Sequence, residues 1–325
     1  MRVAVLDDWQ GVAEGLADWT ALRRRAEVVF FRAPLGDAAQ VVRALAGFEV
    51  VLAMRERTPF PAAVLRALPA LRLLAFTGPR NAAVDVAAAT AAGIVVCNTV
   101  SRRTSHGTAE LALALLLACA RRLPAGDAAI RAGGFQEAMP LGCELAGRTL
   151  GLVGLGRIGG RMARYGQALE MRVLAWSQNL TEARAAEAGA ERVEKEHLFA
   201  EADAVSLHLV LSERTRGVVG AAEIAGMRKD AILVNTSRAP LIERAPLLAA
   251  LREGRILAGL DVFDTEPPAE NDALRTAPNT VLSPHIGYVT GENMAELYGA
   301  SVENILAWLD GAPIRVVNPE VVPKA

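Results

Sequence analysis

The fold is decided by the stretch Thr149-Leu150-Gly151-Leu152-Val153-Gly154-Leu155-Gly156-Arg157-Ile158-Gly159. Its apolar first half predicts a buried strand, and helix-forming residues follow the last glycine. In such a Gly-x-Gly-x-x-Gly turn the first glycine permits the tight bend, the second lets a pyrophosphate approach the backbone, and the third lets helix and strand pack closely. The following helix offers its free N-terminal amides to phosphate. The stretch therefore predicts a dinucleotide site that includes Gly154, Gly156, Arg157, Ile158 and Gly159.

Short apolar runs alternate with Ala-rich helical stretches on both sides of this turn. The predicted strands are residues 3–6, 28–31, 50–53, 71–76 and 94–97, then 149–153, 172–176, 204–209, 231–235, 258–262 and 280–283. This alternation indicates βαβ units and parallel sheets. A long helix over residues 105–122 separates the two series. We therefore predict an α/β protein with two doubly wound parallel-sheet domains.

A last helical stretch follows the second series, with Thr290 as its N-cap and Gly311 just beyond its end. It is expected to return to the first domain and complete it. The predicted domains are residues 103–289, which bind the dinucleotide, and a discontinuous substrate (catalytic) domain of residues 1–102 plus 290–325.

The composition excludes several classes of protein. The chain has 325 residues, 52% of them apolar and 22% charged, and a formal net charge of −1. These values are typical of a globular protein and give no sign of nucleic-acid binding. The apolar run of residues 111–120 is too short to span a bilayer. The three cysteines have no metal-ligand spacing, so we expect free thiols, a reducing cytoplasm and no metal.

The end of the second strand of a dinucleotide fold normally reads the adenosine ribose. An acidic residue there binds the ribose hydroxyls and repels a 2′-phosphate. This chain has Ser177, Gln178 and Asn179 instead, and its first carboxylate is Glu182. Neutral hydrogen-bonding side chains can accept a 2′-phosphate. The sequence thus allows NAD or NADP and favours NADP.

Three later segments place chemically active residues at the ends of predicted strands. They contribute Arg238, Glu266 and His285. An Arg can grip a carboxylate in a bidentate fork. A His can protonate a carbonyl oxygen, and a carboxylate on its other ring nitrogen can orient it. Each residue alone has a structural explanation, but their order after a dinucleotide turn favours reduction of a 2-keto acid. Asp261 is predicted to accept a hydrogen bond from the nicotinamide carboxamide.

These motifs resemble those of the D-isomer-specific 2-hydroxyacid dehydrogenase family over nearly the whole chain. The family's Asn-x-Ser/Ala-Arg-Gly appears as residues 235–239, with Ala239 in place of Gly. Its Asp-Val-Phe-x-x-Glu-Pro is residues 261–267, and its Pro-His-Ile/Leu-Gly is residues 284–287. The resemblance implies a Rossmann cofactor domain, a flavodoxin-like substrate domain and a homodimer.

The same resemblance assigns roles to further residues. It implies a catalytic triad of Arg238, Glu266 and His285 acting on D-2-hydroxy acids. The substrate contacts that it implies are Arg55, Thr77, Gly78, Arg238 and His285. The remaining cofactor contacts predicted in the second domain are Thr108, His208 and Thr236, whereas His106 is expected to face solvent.

Several alternatives stay open. A formate-dehydrogenase-like enzyme would need no proton transfer, and Glu266 argues against it because that branch carries Gln at this position. A nucleotide-sensing binding protein of the corepressor type shares the fold and the triad, but it would need regulatory tails. A phosphoglycerate dehydrogenase without a regulatory domain also fits. Glyoxylate, hydroxypyruvate and longer 2-keto acids are all possible substrates.

Overall fold

Two parallel sheets organise the chain in a computed structural model that describes residues 1–137 and 139–322. The chain divides into two compact units. The first comprises Met1–Arg103 together with the segment that begins at Val289, and the second is Thr104–Tyr288. The last three residues of the predicted first-domain segment, 323–325, lie outside the described residues.

The first unit contains a five-stranded parallel sheet in the order β2-β1-β3-β4-β5. This is the strand order of flavodoxin-like folds, as the resemblance implied. Its strands are β1 Arg2–Val5, β2 Glu27–Phe30, β3 Val50–Ala53, β4 Leu73–Thr77 and β5 Val95–Thr99. Its helices are α1 Ala13–Leu16, α2 Thr20–Arg23, α3 Ala38–Leu45, α4 Ala62–Arg66, α5 Val86–Ala91 and the C-terminal α13 Gly291–Leu309.

The C-terminal helix belongs to the first unit because it packs on β4 and β5. Thr290 caps it by accepting a hydrogen bond from the Asn293 N–H. Gly311 follows its end with a φ of +76°, a left-handed conformation that glycine adopts without strain. Both ends of this helix were therefore predicted correctly.

The second unit contains a seven-stranded parallel sheet in the order β12-β11-β10-β9-β6-β7-β8. Counted from β6, six strands have the Rossmann order, and β12 extends the sheet. The strands are β6 Thr149–Val153, β7 Arg172–Trp176, β8 Glu191–Arg192, β9 Ala204–Leu207, β10 Ala231–Asn235, β11 Ile256–Leu260 and β12 Thr280–Leu282. The helices are α6 Thr104–Ala120, α7 Leu123–Arg131, α8 Arg157–Ala168, α9 Glu182–Glu187, α10 Lys195–Glu201, α11 Ala221–Gly226 and α12 Arg244–Arg252.

Several elements of the second unit differ from the sequence-based expectation. Strand β11 lies two residues before the predicted 258–262, and β9 ends at Leu207 rather than at residue 209. The predicted helix over residues 105–122 ends at Ala120, because Arg122 takes a left-handed φ of +53° and a separate helix, α7, begins after it. The two-residue strand β8 was not predicted, because it is short and polar. No helix of the described residues is long and apolar enough to cross a membrane.

The register of the second sheet brings the predicted catalytic segments together. Asn235 at the end of β10 pairs with Leu260 of β11, and Leu260 pairs with Leu282 of β12. Because the strands are parallel, the three loops that follow them leave the same edge side by side. Helix α6 packs directly beneath, where a Cβ on Gly259 would lie 2.9 Å from Leu115 Cβ.

Candidate active site

The glycine turn between β6 and α8 is a cradle that leaves no room for side chains on one side and is open on the other. A Cβ on Gly154 would lie 2.8 Å from the His208 carbonyl oxygen, and one on Gly159 only 2.1 Å from the Gly154 carbonyl oxygen. Gly154 also has a φ of +102°. At Gly156, by contrast, an added Cβ would meet no atom within 4 Å. Two glycines thus permit packing, and the third leaves the backbone open to a ligand.

The residues around this cradle fit a dinucleotide. No side chain caps α8, whose N-cap is Gly156, so its first amides face the open side of the turn. Within the described residues, the Thr236 hydroxyl and both His208 ring nitrogens are buried without a hydrogen-bond partner. Burial lowers the pKa of His208 to about 3, so its ring is neutral. Buried polar groups without partners are rare in proteins, and a polar ligand would explain these.

The predicted ribose-reading segment follows β7. The Ser177 carbonyl oxygen accepts a hydrogen bond from the Leu180 N–H, which closes a turn. Gln178 and Asn179 are exposed on this turn. Arg184 lies exposed in the first turns of α9, where its N–H donates to the Thr181 hydroxyl. No carboxylate side chain stands between β7 and Glu182, the first residue of α9.

The loop after β10 is held in shape by Asn235, which is buried. Its amide side chain donates to the Arg238 carbonyl oxygen at 2.9 Å and accepts from the Ser237 N–H at 3.0 Å. The Ser237 hydroxyl donates to the Leu207 carbonyl oxygen of β9. Arg238 is half-buried, and its Nη1 donates to the Ser237 carbonyl oxygen at 2.7 Å. Sequence reasoning named the motif but missed this role of Asn235.

Glu266 and His285 form a close pair on the neighbouring loops. His285 Nδ1 lies 2.5 Å from Glu266 Oε2, and the other carboxylate oxygen accepts from the Phe263 N–H at 3.0 Å. Both side chains are mostly buried, with exposed fractions of 16% for His285 and 25% for Glu266. Their geometry orients the imidazole, because its Nδ1 is engaged and its Nε2 is the nitrogen left for chemistry.

The electrostatics of Glu266 agree with this pairing. Burial alone would raise the pKa of Glu266, but the hydrogen bond and charge of His285 outweigh it. The Phe263 N–H and the charge of Arg238 act in the same direction. The net result is a lowered pKa, so Glu266 is an anion at neutral pH.

An arginine that the sequence analysis did not identify holds the loop that carries Glu266. Arg244, the first residue of α12, donates to Asp264 at 3.0 Å and to Asp272 at 2.6 Å. These two carboxylates lie on either side of Glu266 in the sequence. The sequence does carry a signal for this interaction. Two aspartates lie on either side of the predicted catalytic Glu266, and an arginine follows six residues after Arg238.

Two predicted cofactor contacts are buried among protein atoms. Asp261 has no exposed surface, and its carboxylate accepts hydrogen bonds from residues of the His285 turn. The hydroxyl of Thr108 donates to the Thr104 carbonyl oxygen of its own helix. Three protein donors leave acceptor capacity on the Asp261 carboxylate, so its expected contact with the nicotinamide stays a prediction.

The remaining predicted substrate residues lie in the first unit, at the carboxyl ends of β3 and β4. The Thr77 hydroxyl accepts from the Arg55 N–H at 2.9 Å and donates to Met54 Sδ, and Thr77 has no exposed surface. The Gly78 N–H donates to the Thr99 carbonyl oxygen. Thr77 and Gly78 therefore use these groups internally, contrary to the expectation that they face a substrate.

Arg55 is the member of this group with a half-buried side chain. Its backbone has a left-handed φ of +55°, which is unusual for a residue other than glycine. Its guanidinium lies against Gly78, where an added Cβ would be 2.6 Å from Arg55 Nη1. The absence of a side chain on Gly78 thus makes room for Arg55.

His106 lies in the second unit near the start of α6 and is exposed, as expected. Its Nε2 lies 2.6 Å from Arg161 Nη2 of α8. Because a guanidinium can only donate hydrogen bonds, this contact requires an unprotonated Nε2.

Comparison with known proteins relates this arrangement to characterised enzymes. The family model described as D-isomer specific 2-hydroxyacid dehydrogenase, NAD binding domain, matches residues 113–287. The glyoxylate reductase of Aeropyrum pernix is 40% identical over 268 residues, which cover 80% of each chain. The hydroxypyruvate reductase of Blautia hydrogenotrophica is 32% identical over 98% of this chain and 100% of its own.

Solved structures agree with these similarities. The crystal structure of phosphoglycerate oxidoreductase from Vibrio cholerae O395 superposes with a TM-score of 0.91 at 34% sequence identity, and the match covers 96% of this chain and 100% of that one. The residues matched by the NAD binding domain of this family include the glycine turn and the segments that carry Arg238, Glu266 and His285. The chain therefore belongs to the D-isomer-specific 2-hydroxyacid dehydrogenase family.

Proposed function

We propose that this enzyme moves a hydride between NAD(P)H and a small 2-keto acid, forming the D-2-hydroxy acid. The observation that carries the proposal is the 2.5 Å contact of His285 with Glu266, on strand ends adjacent to the one that bears Arg238. Glyoxylate and hydroxypyruvate are the leading substrates, because relatives named for them match 80% or more of the chain.

Reduction of a keto acid places a hydride on the carbonyl carbon and a proton on its oxygen. We assign the proton to His285 Nε2, since Nδ1 is bonded to Glu266. The Glu266 anion orients the ring through its contact with Nδ1, and in the reverse direction Nε2 accepts the hydroxyl proton. General acid–base groups of this kind typically contribute about 10²–10⁴-fold to a rate.

Arg238 is assigned to the carboxylate of the substrate. The bond from its Nη1 to the Ser237 carbonyl oxygen orients the guanidinium, and the bond from Asn235 to the Arg238 carbonyl oxygen holds the backbone of the loop. A planar guanidinium matches a carboxylate through two parallel hydrogen bonds, which also sets the orientation of the carbonyl. In the first unit, Arg55 is kept as the candidate for a further substrate contact, ahead of Thr77 and Gly78.

The nicotinamide nucleotide would supply the hydride when bound. Gly154, Gly156 and the first amides of α8 would hold its pyrophosphate, and His208 and Thr236 would offer it their unpartnered polar atoms. We propose a preference for NADP, because Ser177, Gln178 and Asn179 put no negative charge where a 2′-phosphate would bind.

We also propose a homodimer. Helix α7 has no buried residue among those described, although Leu123 and Ile130 on it are 57% and 58% exposed. Phe135 and Leu141 beyond it are 63% and 93% exposed. Exposed apolar residues grouped in this way usually mark an interaction surface. Light scattering of the purified protein tests the stoichiometry.

The free thiols of Cys97 and Cys119, both buried, favour a reducing cytoplasmic setting.

The proposal is tested by following oxidation of NADPH and NADH against a panel of 2-keto acids. Turnover of any member supports the dehydrogenase, and the ratio of the two rates identifies the preferred nucleotide. The His285→Gln variant should bind nucleotide normally and lose about 10²–10⁴-fold in turnover. Tight nucleotide binding without turnover of any acid would instead favour a nucleotide-sensing protein.

A further inference from the structure

The segment between β11 and β12 carries Glu266 and has little regular structure of its own. Leu260 ends β11, Thr280 begins β12, and between them the chain forms loops and the short 3₁₀ helix Ala273–Thr276. A segment of this kind opens locally unless other parts of the chain hold it. Glu266 Oε2 nevertheless lies 2.5 Å from His285 Nδ1, so the segment has to be held close to Glu266.

One guanidinium binds this segment on both sides of Glu266. Arg244, at the start of α12, donates from Nη1 to Asp264 at 3.0 Å and from Nη2 to Asp272 at 2.6 Å. The side chain of Asp272 is 11% exposed, whereas those of Arg244 and Asp264 are 34% and 42% exposed. Because water and salt screen exposed ion pairs, the bond to Asp272 is the stronger of the two.

Asp272 also binds its own neighbours, so Arg244 is connected to a well-ordered part of the segment. Asp272 Oδ1 accepts from the Leu274 N–H at 2.8 Å, which caps the 3₁₀ helix. The Asp272 N–H donates to the Ala269 carbonyl oxygen at 3.0 Å. Residues 269–274 are thus joined by hydrogen bonds, and the Arg244 guanidinium attaches them to α12.

Three carboxylates lie within nine residues of this segment, and Arg244 neutralises two of them. Asp264, Glu266 and Asp272 would repel one another if no cation were present, because like charges disfavour the ionised form of a carboxyl. Burial raises the pKa of Asp272, but the hydrogen bond and the charge of Arg244 help to lower it below its usual value. Both aspartates are therefore occupied by Arg244, which leaves Glu266 as the carboxylate that binds His285.

We infer that Arg244 is a positioning residue, which holds Glu266 against His285 by binding Asp264 and Asp272 on either side of it. Arg244 needs no contact with substrate or cofactor for this role, because its two ion pairs are with carboxylates of the protein. The effect on catalysis rests on the proposed function, whereas the structural part of the inference does not.

The Arg244→Ala variant removes both hydrogen bonds and keeps the backbone of α12. We expect kcat to fall roughly 5- to 30-fold, as for a small displacement of a catalytic group. The KM and the dissociation constant for NADPH should change less than about threefold, since no ligand contact is lost. Arg252→Ala is the matched control, because it removes an exposed arginine at the other end of the same helix and should leave kcat unchanged.

A double-mutant cycle separates positioning from a general loss of stability. Arg244→Ala should lower kcat less than about twofold in an enzyme that already carries Glu266→Ala, because the side chain that Arg244 positions is then absent. An arginine that only stabilised the fold would lower kcat by the same factor in both backgrounds, and that result would overturn the inference.

Hydrogen exchange tests the positioning of Glu266 without any turnover. The Phe263 N–H donates to Glu266 Oε1 at 3.0 Å, and its exchange should become at least about tenfold faster in Arg244→Ala. The amides of β6, at the other side of the sheet, should exchange as in the wild type. If the wild type reduces no 2-keto acid, the proposed function fails, but the exchange rates still decide whether Arg244 places Glu266.

The Asp264→Asn variant guards against a misfolded Arg244→Ala protein. It weakens the more exposed hydrogen bond of Arg244 and leaves Asp272 in place, so we expect a folded enzyme with a roughly two- to tenfold lower kcat, the cost of one ordinary hydrogen bond. Wild-type exchange of the Phe263 amide in both variants, or a wild-type kcat in Arg244→Ala, would overturn the inference.

Discussion

Replacing Glu266 by Gln removes the negative charge beside His285 and leaves the shape of the site intact. The amide oxygen can still accept from the Phe263 N–H, which now bonds to Glu266 Oε1 at 3.0 Å. The lost interaction is the 2.5 Å contact with His285 Nδ1, between side chains that are 16% and 25% exposed. The substitution therefore isolates the charge of Glu266 from its packing.

The expected magnitude follows from the type of bond. A hydrogen bond to a charged partner is worth about 1.5–3 kcal/mol. If the activation free energy rises by this full amount, the rate of keto-acid reduction falls about 10- to 150-fold, at about 1.36 kcal/mol per factor of ten. The deficit should shrink as the pH falls through the lowered folded-state pKa of Glu266, because the wild type then loses the same negative charge.

Stopped-flow or steady-state reduction rates across the pH range measure both effects, and nucleotide affinity should stay unchanged. Glu270→Gln is the matched control, because it makes the same chemical change at an exposed position of the same segment. A Glu266→Gln enzyme with wild-type rates at every pH would refute the reasoning, and so would a deficit independent of pH.

Three further predictions concern the cofactor, the glycine turn and acid stability. Ser177→Asp should weaken NADPH relative to NADH by about tenfold, or ~1.4 kcal/mol, and Ser177→Asn should not; equal ratios would show that another residue reads the ribose. Gly159→Ala should destabilise the protein by about 1–3 kcal/mol in denaturant unfolding, because its Cβ would lie 2.1 Å from a backbone oxygen; wild-type stability would contradict that close approach. The pKa of Glu266 is lowered in the folded state, so its ionised form stabilises the fold above the ordinary carboxyl range, and this contribution disappears as the pH falls through the folded-state value. The melting temperature of Glu266→Gln should consequently fall less on acidification than that of the wild type, and parallel curves would contradict the pairing.

The sequence predicted the fold well because its signals are local. Buried parallel strands such as β3 and β10 are continuous apolar runs, and the glycine turn has a fixed spacing. The errors have physical causes. The helix breaks at Arg122 because this one residue has a left-handed backbone inside an otherwise helical pattern. Such a conformation is hard to predict from the sequence when the residue is not glycine.

The sequence predicted the residue types of the candidate site and their place at strand ends. Strand order then implies that Arg238, Glu266 and His285 lie at one edge of the sheet. The hydrogen bonds from the Arg55 N–H to Thr77 and from the His285 turn to Asp261 could not be predicted. They depend on side-chain directions that become fixed only when distant segments fold together. Polar residues at strand ends look alike in sequence, whether they face a ligand or hold a neighbouring loop.

The three segments that carry Arg238, Glu266 and His285 follow the adjacent strands β10, β11 and β12, and this succession has a consequence for how the site is encoded. Each segment is hydrogen-bonded to the next beyond the strand ends, through the Asp261 N–H to Asn235 and the Ser283 N–H to Leu260. The proposed acid–base residues therefore come from one contiguous stretch of the sequence, and the hydrogen bonds that join their segments involve no residue of the first unit. We expect a substitution in the first unit, for example at Arg55, to leave these bonds in place.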